Sequence, residues 1–324
     1  MRLEYQILMA AALDLAWGDP RWLPHPVRGI GRLAMRLEAL SRRWLGDTRA
    51  GGAFAAIAAY LVAGCGAWAA IQVAAAIDPL AGDVASIATI YTTIAARDLA
   101  DHSMAVFRSL ASGDLADARR QVGRMVGRDT DTLDEAGVVR AAVESLAEST
   151  VDGVTGPLFY AALAGPAGAM VYRAINTLDS MFGHQDERYC RFGWAAARID
   201  DLANYLPARC TAPLLCIAAF LLRLNAAASL RVLLRDGRKH ASPNAGLAEA
   251  AMAGALGVEL GGLRHYGGRP FQEPAIGEPL VPLCPGHIRS ATAVMLATAG
   301  LFLPLCLALR VALQHLWQAG RMAG

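Results

Sequence analysis

No CxxC pair occurs among the six cysteines, Cys65, Cys190, Cys210, Cys216, Cys284 and Cys306. Their spacing gives neither a zinc site nor a disulfide framework, and they read as buried thiols or small hydrophobes. Aromatic residues are only 7% of the chain, and the β-branched alternation of a membrane barrel is missing. Charged residues are 18%, the net charge is +2, and the arginines are dispersed rather than blocked with aromatics, so nucleic-acid binding is not expected. A GxxxxGK[ST] phosphate loop does not occur. Near the N-terminus the apolar run Tyr5 to Leu13 is short and no small-residue cleavage pattern follows it, so a cleaved signal peptide is not expected. Internal repeats and low-complexity linkers are absent as well.

What is abundant is alanine, leucine and glycine, with 55% hydrophobic residues and a mean hydropathy of +0.34. This composition predicts an all-α chain, a polytopic helical membrane protein whose helices pack closely in lipid. The uncharged run 53–77 is about 37 Å of helix at about 1.5 Å per residue, enough for a hydrocarbon core of about 30 Å. Further spans are expected near 80–97, 202–222 and 290–310. The run 153–172 is broken by Gly165-Pro166 and Gly168, which predicts either a span or a re-entrant hairpin. The arginine-bearing segments 18–50, 98–152 and 223–289 are assigned to the cytoplasmic side, as helical and loop insertions of one membrane-embedded domain covering 1–324. Asp114 is expected to cap one helix there, and Asp129 or Thr130 the next.

Charge is unevenly spread. Between Gly127 and Arg209 stand twelve carboxylates against seven arginines, a net of about −5. Acids concentrated beside lipid call for partners or a cation. Arg140, Glu144 and Glu148 fall at i, i+4 and i+8 on one helical face, with Asp152 one turn on. The plainer reading is an Arg140–Glu144 surface pair. A transporter or a non-catalytic membrane sensor are the competing classes, but a transporter predicts charges inside several spans, and here the acids lie in the loops.

Five segments carry a family resemblance: LDLAWGDPRWLPHPVRGIG (13–31), IYTTIAARDLADH (90–102), VGRDTDTLDEAGVVRAAVESLAESTVDGVTGPLFY (126–160), AINTLDSMFGHQDERYCRFGWAAARIDDLANYLPAR (174–209) and RDGRKHASPNAGLAEAAMAGALGVELGG (235–262). In these the chain resembles the adenosylcobinamide-phosphate synthases of cobalamin biosynthesis, CobD or CbiB. It departs from the usual pattern at Ser149, Gly156 and Leu247-Ala248, without loss of an ionisable group. The resemblance implies a multi-pass inner-membrane ligase. It would join adenosylcobyric acid to (R)-1-aminopropan-2-ol phosphate or phosphoethanolamine, with ATP and Mg²⁺, the corrinoid being substrate rather than prosthetic group. The bilayer would be its other partner, and a homo-oligomer or an assembly with other enzymes of that pathway is left open.

Amide formation needs an activated carboxylate, an uncharged amine and groups that hold phosphate. On that chemistry Glu144, Glu148, Asp179 and His184 are the catalytic candidates, His184 as the base. Metal candidates are Glu144, Glu148, Asp152, Asp179, Asp200 and Asp201. For phosphate and substrate the candidates are His25, Arg28, Arg128, Arg140, Asn176, Arg188, Arg198, Arg238, Lys239, His240, Ser242 and Asn244. Gly261-Gly262 and Gly267-Gly268 read as turns rather than phosphate cradles.

Overall fold

A computed structural model describes residues 1–20, 22, 25–183 and 187–322. In chain order the helices are α1 (Leu3–Trp17), α2 (Pro26–Leu45), α3 (Arg49–Ile77), α4 (Pro79–Tyr91), α5 (Ala96–Ala111), α6 (Leu115–Val122) and α7 (Glu135–Thr150). A π-helical turn, Val151–Thr155, leads to α8 (Gly156–Phe182), α9 (Trp194–Ala203), α10 (Tyr205–Leu221), α11 (Ala226–Asp236) and α12 (Ala245–Leu256). Strands β1 (Glu259–Tyr266) and β2 (Arg269–Gly277) precede α13 (Gly286–Met322).

Helix starts follow local chemistry. Asp114 accepts from Asp117 N at 2.8 Å and caps α6, as expected. The next cap is Asp134, which accepts from Gly137 N at 2.7 Å, not Asp129 or Thr130. Asp129 instead accepts from the amides of Gly267 and Gly268, pinning the turn between β1 and β2. Both glycines have positive φ, which a two-residue hairpin turn demands. The prolines before Arg28 predict irregular chain, yet α2 starts at Pro26 itself. Proline suits a first helical position, and His25 Nδ1 accepts from Val27 N at 3.3 Å.

The contacts divide the chain into two compact units, where the sequence predicts one domain. Unit 1 comprises Met1–Ala95, Gly156–Asn204 and the chain from Leu303; unit 2 comprises Ala96–Thr155 and Tyr205–Phe302. In unit 1, α3 packs through alanines on α8, around Tyr172, Leu178, Phe182 and Phe192. A Cβ on Gly52 would collide with the Phe192 carbonyl, so glycine there permits the close approach. In unit 2, α7 is the central helix, flanked by α5, α6 and α12, with α10 and α11 against α12.

Among the described residues, three helical segments are long and apolar enough to cross a membrane: Arg49–Ile77, Glu135–Phe182 and Gly286–His315. The chain is a helical membrane protein, as predicted. The spans expected near 80–97 and 202–222 fall on shorter helices. The helix α4 has only 13 residues, and α10, with 17, buries Ala208, Ala212, Leu215, Ala218 and Ala219 in the unit 2 core. Within α8 the chain turns back at Gly165 (φ 69°, ψ −163°), before Pro166. Tyr160 and Tyr172 therefore stack at 5.0 Å, although twelve residues of straight helix would separate them by about 18 Å. This is the helical hairpin that the Gly-Pro break suggests. The β-hairpin is an addition to the all-α expectation, because GGLRHYGG is too short and glycine-rich to signal strands by alternation.

Candidate active site

Unit 2 holds an enclosed ionic cluster. On α7, Glu144 (4% exposed) takes Arg128 Nη2 at 2.6 Å on Oε2, and Gly261 N at 2.6 Å on Oε1. Arg264 Nη2 stands 3.1 Å from the same Oε1. Gly261 (φ 83°) and Gly262 (φ 87°) form the bulge in β1 that aims this amide at the carboxylate. Beyond the bulge, Arg264 and Tyr266 share one face of β1 by the two-residue period, with Glu273 of β2 beside them. Arg264 Nη1 is 3.7 Å from Glu273. Burial opposes the Arg264 charge, but Glu144, Glu249 and Glu273 outweigh it and hold its pKa above the ordinary value.

Two carboxylates are less committed. Glu148, one turn beyond Glu144, is exposed, yet protein surrounds it. A group both accessible and enclosed faces a cavity. That cavity, about 130 Å³, is lined by Arg128, Glu144, Glu148, Glu249, Arg264 and Tyr266 among others. Glu249 is 2% exposed, and its Oε2 has no hydrogen-bond partner. Burial pushes its carboxyl pKa well up, and the charges of Glu144 and Glu148 push it further. His240 Nδ1 accepts from Ser242 N at 2.9 Å, so Nε2 carries the proton in the neutral ring, 4.0 Å from Glu249 and 3.9 Å from Glu273.

Several predicted roles change here. Glu144 pairs with Arg128 and Arg264 and not with Arg140, and both of its oxygens have partners. It anchors two arginines and a backbone amide. His240 faces the carboxylates of Glu249 and Glu273. Lys239 Nζ is 2.8 Å from Asp236 Oδ1, and Asp236 also binds Arg235 and Gly277 N. Ser242 Oγ accepts from Asn244 N and Ala245 N at the start of α12, and Asn244 Oδ1 accepts from Arg209 Nη1 at 3.1 Å. Much of the stretch expected to receive phosphate thus holds the fold, while Arg238 remains exposed. Arg140 is half-buried with an unpartnered Nε. Asp152 sits in the π-helical turn, a distortion frequent at functional sites.

Unit 1 holds a second polar network. Tyr172 OH donates to Asn204 Oδ1 at 2.6 Å, and Asn204 Nδ2 donates to Asp200 Oδ2 at 2.9 Å. Asp201 lies 3.6 Å from Arg198. Asn176 is half-buried on α8, and its backbone carbonyl accepts from Ser180 Oγ. Arg188, expected on phosphate, pairs with the buried Glu38 at 3.1 Å, and His25 Nε2 is 3.3 Å from Asp19. Arg28 is exposed. His184 lies outside the described residues. The metal candidates are thus divided: Glu144, Glu148 and Asp152 in unit 2, Asp179, Asp200 and Asp201 in unit 1. Among the described residues, no three His, Cys, Asp or Glu side chains converge as metal ligands.

A family model described as CobD/Cbib protein matches residues 7–295. The chain belongs to this family. Among relatives, the cobalamin biosynthesis protein CobD of Geobacter metallireducens is 50% identical over 277 residues, 86% of this chain and 87% of that protein. CobD of Leptospira interrogans is 47% identical over 277 residues, 86% of this chain and 88% of that protein. The cobalamin biosynthesis protein CbiB of Salmonella typhi is 42% identical over 308 residues, 94% of this chain and 97% of that protein. No solved structure matches.

Sequence reasoning missed Glu249, Arg264, Glu273 and Asp236. A signal for Glu249 was available: it is the one charged residue in the apolar AGLAEAAMAGAL of α12. The other three owe their places to the β-hairpin, which the sequence does not announce.

Proposed function

We propose that the chain works in cobalamin biosynthesis as an amide-forming ligase. It would join a corrin side-chain carboxylate of adenosylcobyric acid to (R)-1-aminopropan-2-ol phosphate, or phosphoethanolamine, giving adenosylcobinamide phosphate. Family membership and the relatives' names support the pathway. The observation that carries the reaction is the unit 2 cavity, where two uncommitted carboxylates and two arginines meet. Such a cavity suits a reaction whose partners carry charges of both signs.

Chemically, the corrin carboxylate takes the terminal phosphoryl group of ATP, releasing ADP, and becomes an acyl phosphate. The ammonium then gives one proton to a base, for which the sequence offers His184. The amine attacks the acyl carbon, the bond to phosphate breaks, and the second N–H proton leaves with the phosphate. Both oxygens of Glu144 are engaged, and among the described residues no three ligands converge, so these side chains do not form a cage for Mg²⁺. The ion belongs with the nucleotide, held on its phosphates as the MgATP co-substrate. The enzyme would sit in the inner membrane with this cavity on the cytoplasmic side, where nucleotide is available.

The test is incubation of detergent-purified protein with adenosylcobyric acid, aminopropanol phosphate, Mg²⁺ and nucleotide. Amide product with stoichiometric ADP is expected. AMP would replace the acyl phosphate by an adenylate, and no amide under any nucleotide would end the ligase reading.

A further inference from the structure

We propose that the unit 2 cavity is the subsite for the amine substrate, a short aminoalkyl phosphate whose ammonium sits between Glu249 and Glu148 and whose phosphate meets Arg128 and Arg264. This rests on the ligase reading and assigns one of its substrates to a place.

The argument starts from an unmet demand. Buried polar atoms are hydrogen-bonded in folded proteins, and each exception needs a reason. Glu249 Oε2 is such an exception, in a residue only 2% exposed that lines the cavity. Glu148 faces the same space. On the opposite account, Arg128 and Arg264 are nearly buried, with side chains 7% and 10% exposed, and the Nε of each lacks a partner. The residues around this one void bring charges of both signs, and a ligand that completes them carries both signs too. Neither a free cation nor a free anion satisfies both.

A metal ion suits the void less well. Both oxygens of Glu144 are engaged, Glu273 is shared between Arg264 and His240, and His240 Nδ1 is occupied by the Ser242 amide. Only two carboxylates remain. An ammonium has three donors and no fixed coordination number, so two carboxylates are enough. Size decides the rest. The cavity, about 130 Å³, is on the scale of a short aminoalkyl phosphate and far smaller than a corrin ring.

The experiment measures KM separately for amine, corrinoid and nucleotide in wild type, Glu249→Gln and Glu148→Gln. Truncating one partner of a desolvated charge pair should raise the amine KM about 30-fold or more, with the other two within about twofold. Glu148 faces open space, so its variant tests the idea even where Glu249→Gln folds poorly. Propyl phosphate, which lacks the ammonium, should inhibit wild type and both variants alike. An unchanged amine KM, an equal rise in all three constants, or a loss restored by extra Mg²⁺ would each overturn the assignment. Should wild type form no amide, the ligase reading falls by itself. The subsite is then judged by thermal unfolding: 1-aminopropan-2-ol phosphate must stabilise wild type and not Glu249→Gln, and equal response or none rejects it.

Discussion

Asp236 and Glu249 are both buried in unit 2, 0% and 2% exposed, and their surroundings are opposites. Asp236 accepts from Arg235 at 2.8 and 2.7 Å and from Gly277 N at 2.9 Å, with Lys239 Nζ at 2.8 Å. The Arg235 hydrogen bonds, with help from Lys239 and the amide, hold its carboxyl well below the usual range against the cost of burial. Glu249 has His240 at 4.0 Å, an oxygen with no partner, and a pKa pushed the other way. A buried charge with every valence filled belongs to the scaffold. One left half-filled costs stability unless something external completes it, and that is the mark of a site.

Substitutions of the buried acids should therefore separate by how completely each is partnered. Glu144→Gln should cost most, about 3–5 kcal/mol, because it strands Arg128 and Arg264 in the interior. Chemical denaturation in detergent reads this, and an unchanged midpoint would show that the arginines find other partners. Asp236→Asn comes next, about 2–3 kcal/mol, since Arg235 and Lys239 are half-exposed and can turn to water while the Gly277 amide loses its acceptor. Its folded pKa is depressed, so its contribution is complete above the ordinary carboxylate range and fades as pH falls through the folded value. The variant should lack that acid-side loss and keep its activity per folded molecule. Asp129→Ala should cost about 1 kcal/mol and speed hydrogen exchange at Gly267 and Gly268, whose turn it pins at the surface.

How much of this was legible in the residues differs between the two kinds of acid. The helical membrane class, the α3 segment, the break at Gly165 and the Asp114 cap all follow from local rules: run length, glycine with proline, side-chain oxygen at a helix start. The acidic excess of 127–209 points to α7, with Glu144 as a catalytic or metal carboxylate and an Arg140 pair as the plainer reading; tertiary structure gives it Arg128 and Arg264 as partners. Asp236 reads as one more charge in a basic stretch, and only the return of β2 gives it Gly277. Spacing rules see neighbours along one element. The β-hairpin, which brings Gly261 and Arg264 to Glu144 of α7, joins residues more than a hundred positions apart.

Glu249→Gln should depart from this series in sign. A carboxyl whose folded pKa is raised contributes stability below its ordinary pKa and loses it as pH rises through the folded value, since the buried anion is what the fold disfavours. The amide removes that charge in nearly the same volume, so the variant should be level with wild type at acid pH. At neutral pH it should be more stable, by about 1 kcal/mol. Unfolding midpoints of both proteins across the pH range read the difference directly. A gap that widens with pH and closes when 1-aminopropan-2-ol phosphate is added to wild type would mark Glu249 as a charge kept for a ligand. A loss of stability at neutral pH in place of the gain would instead put Glu249 with Asp236, as part of the scaffold.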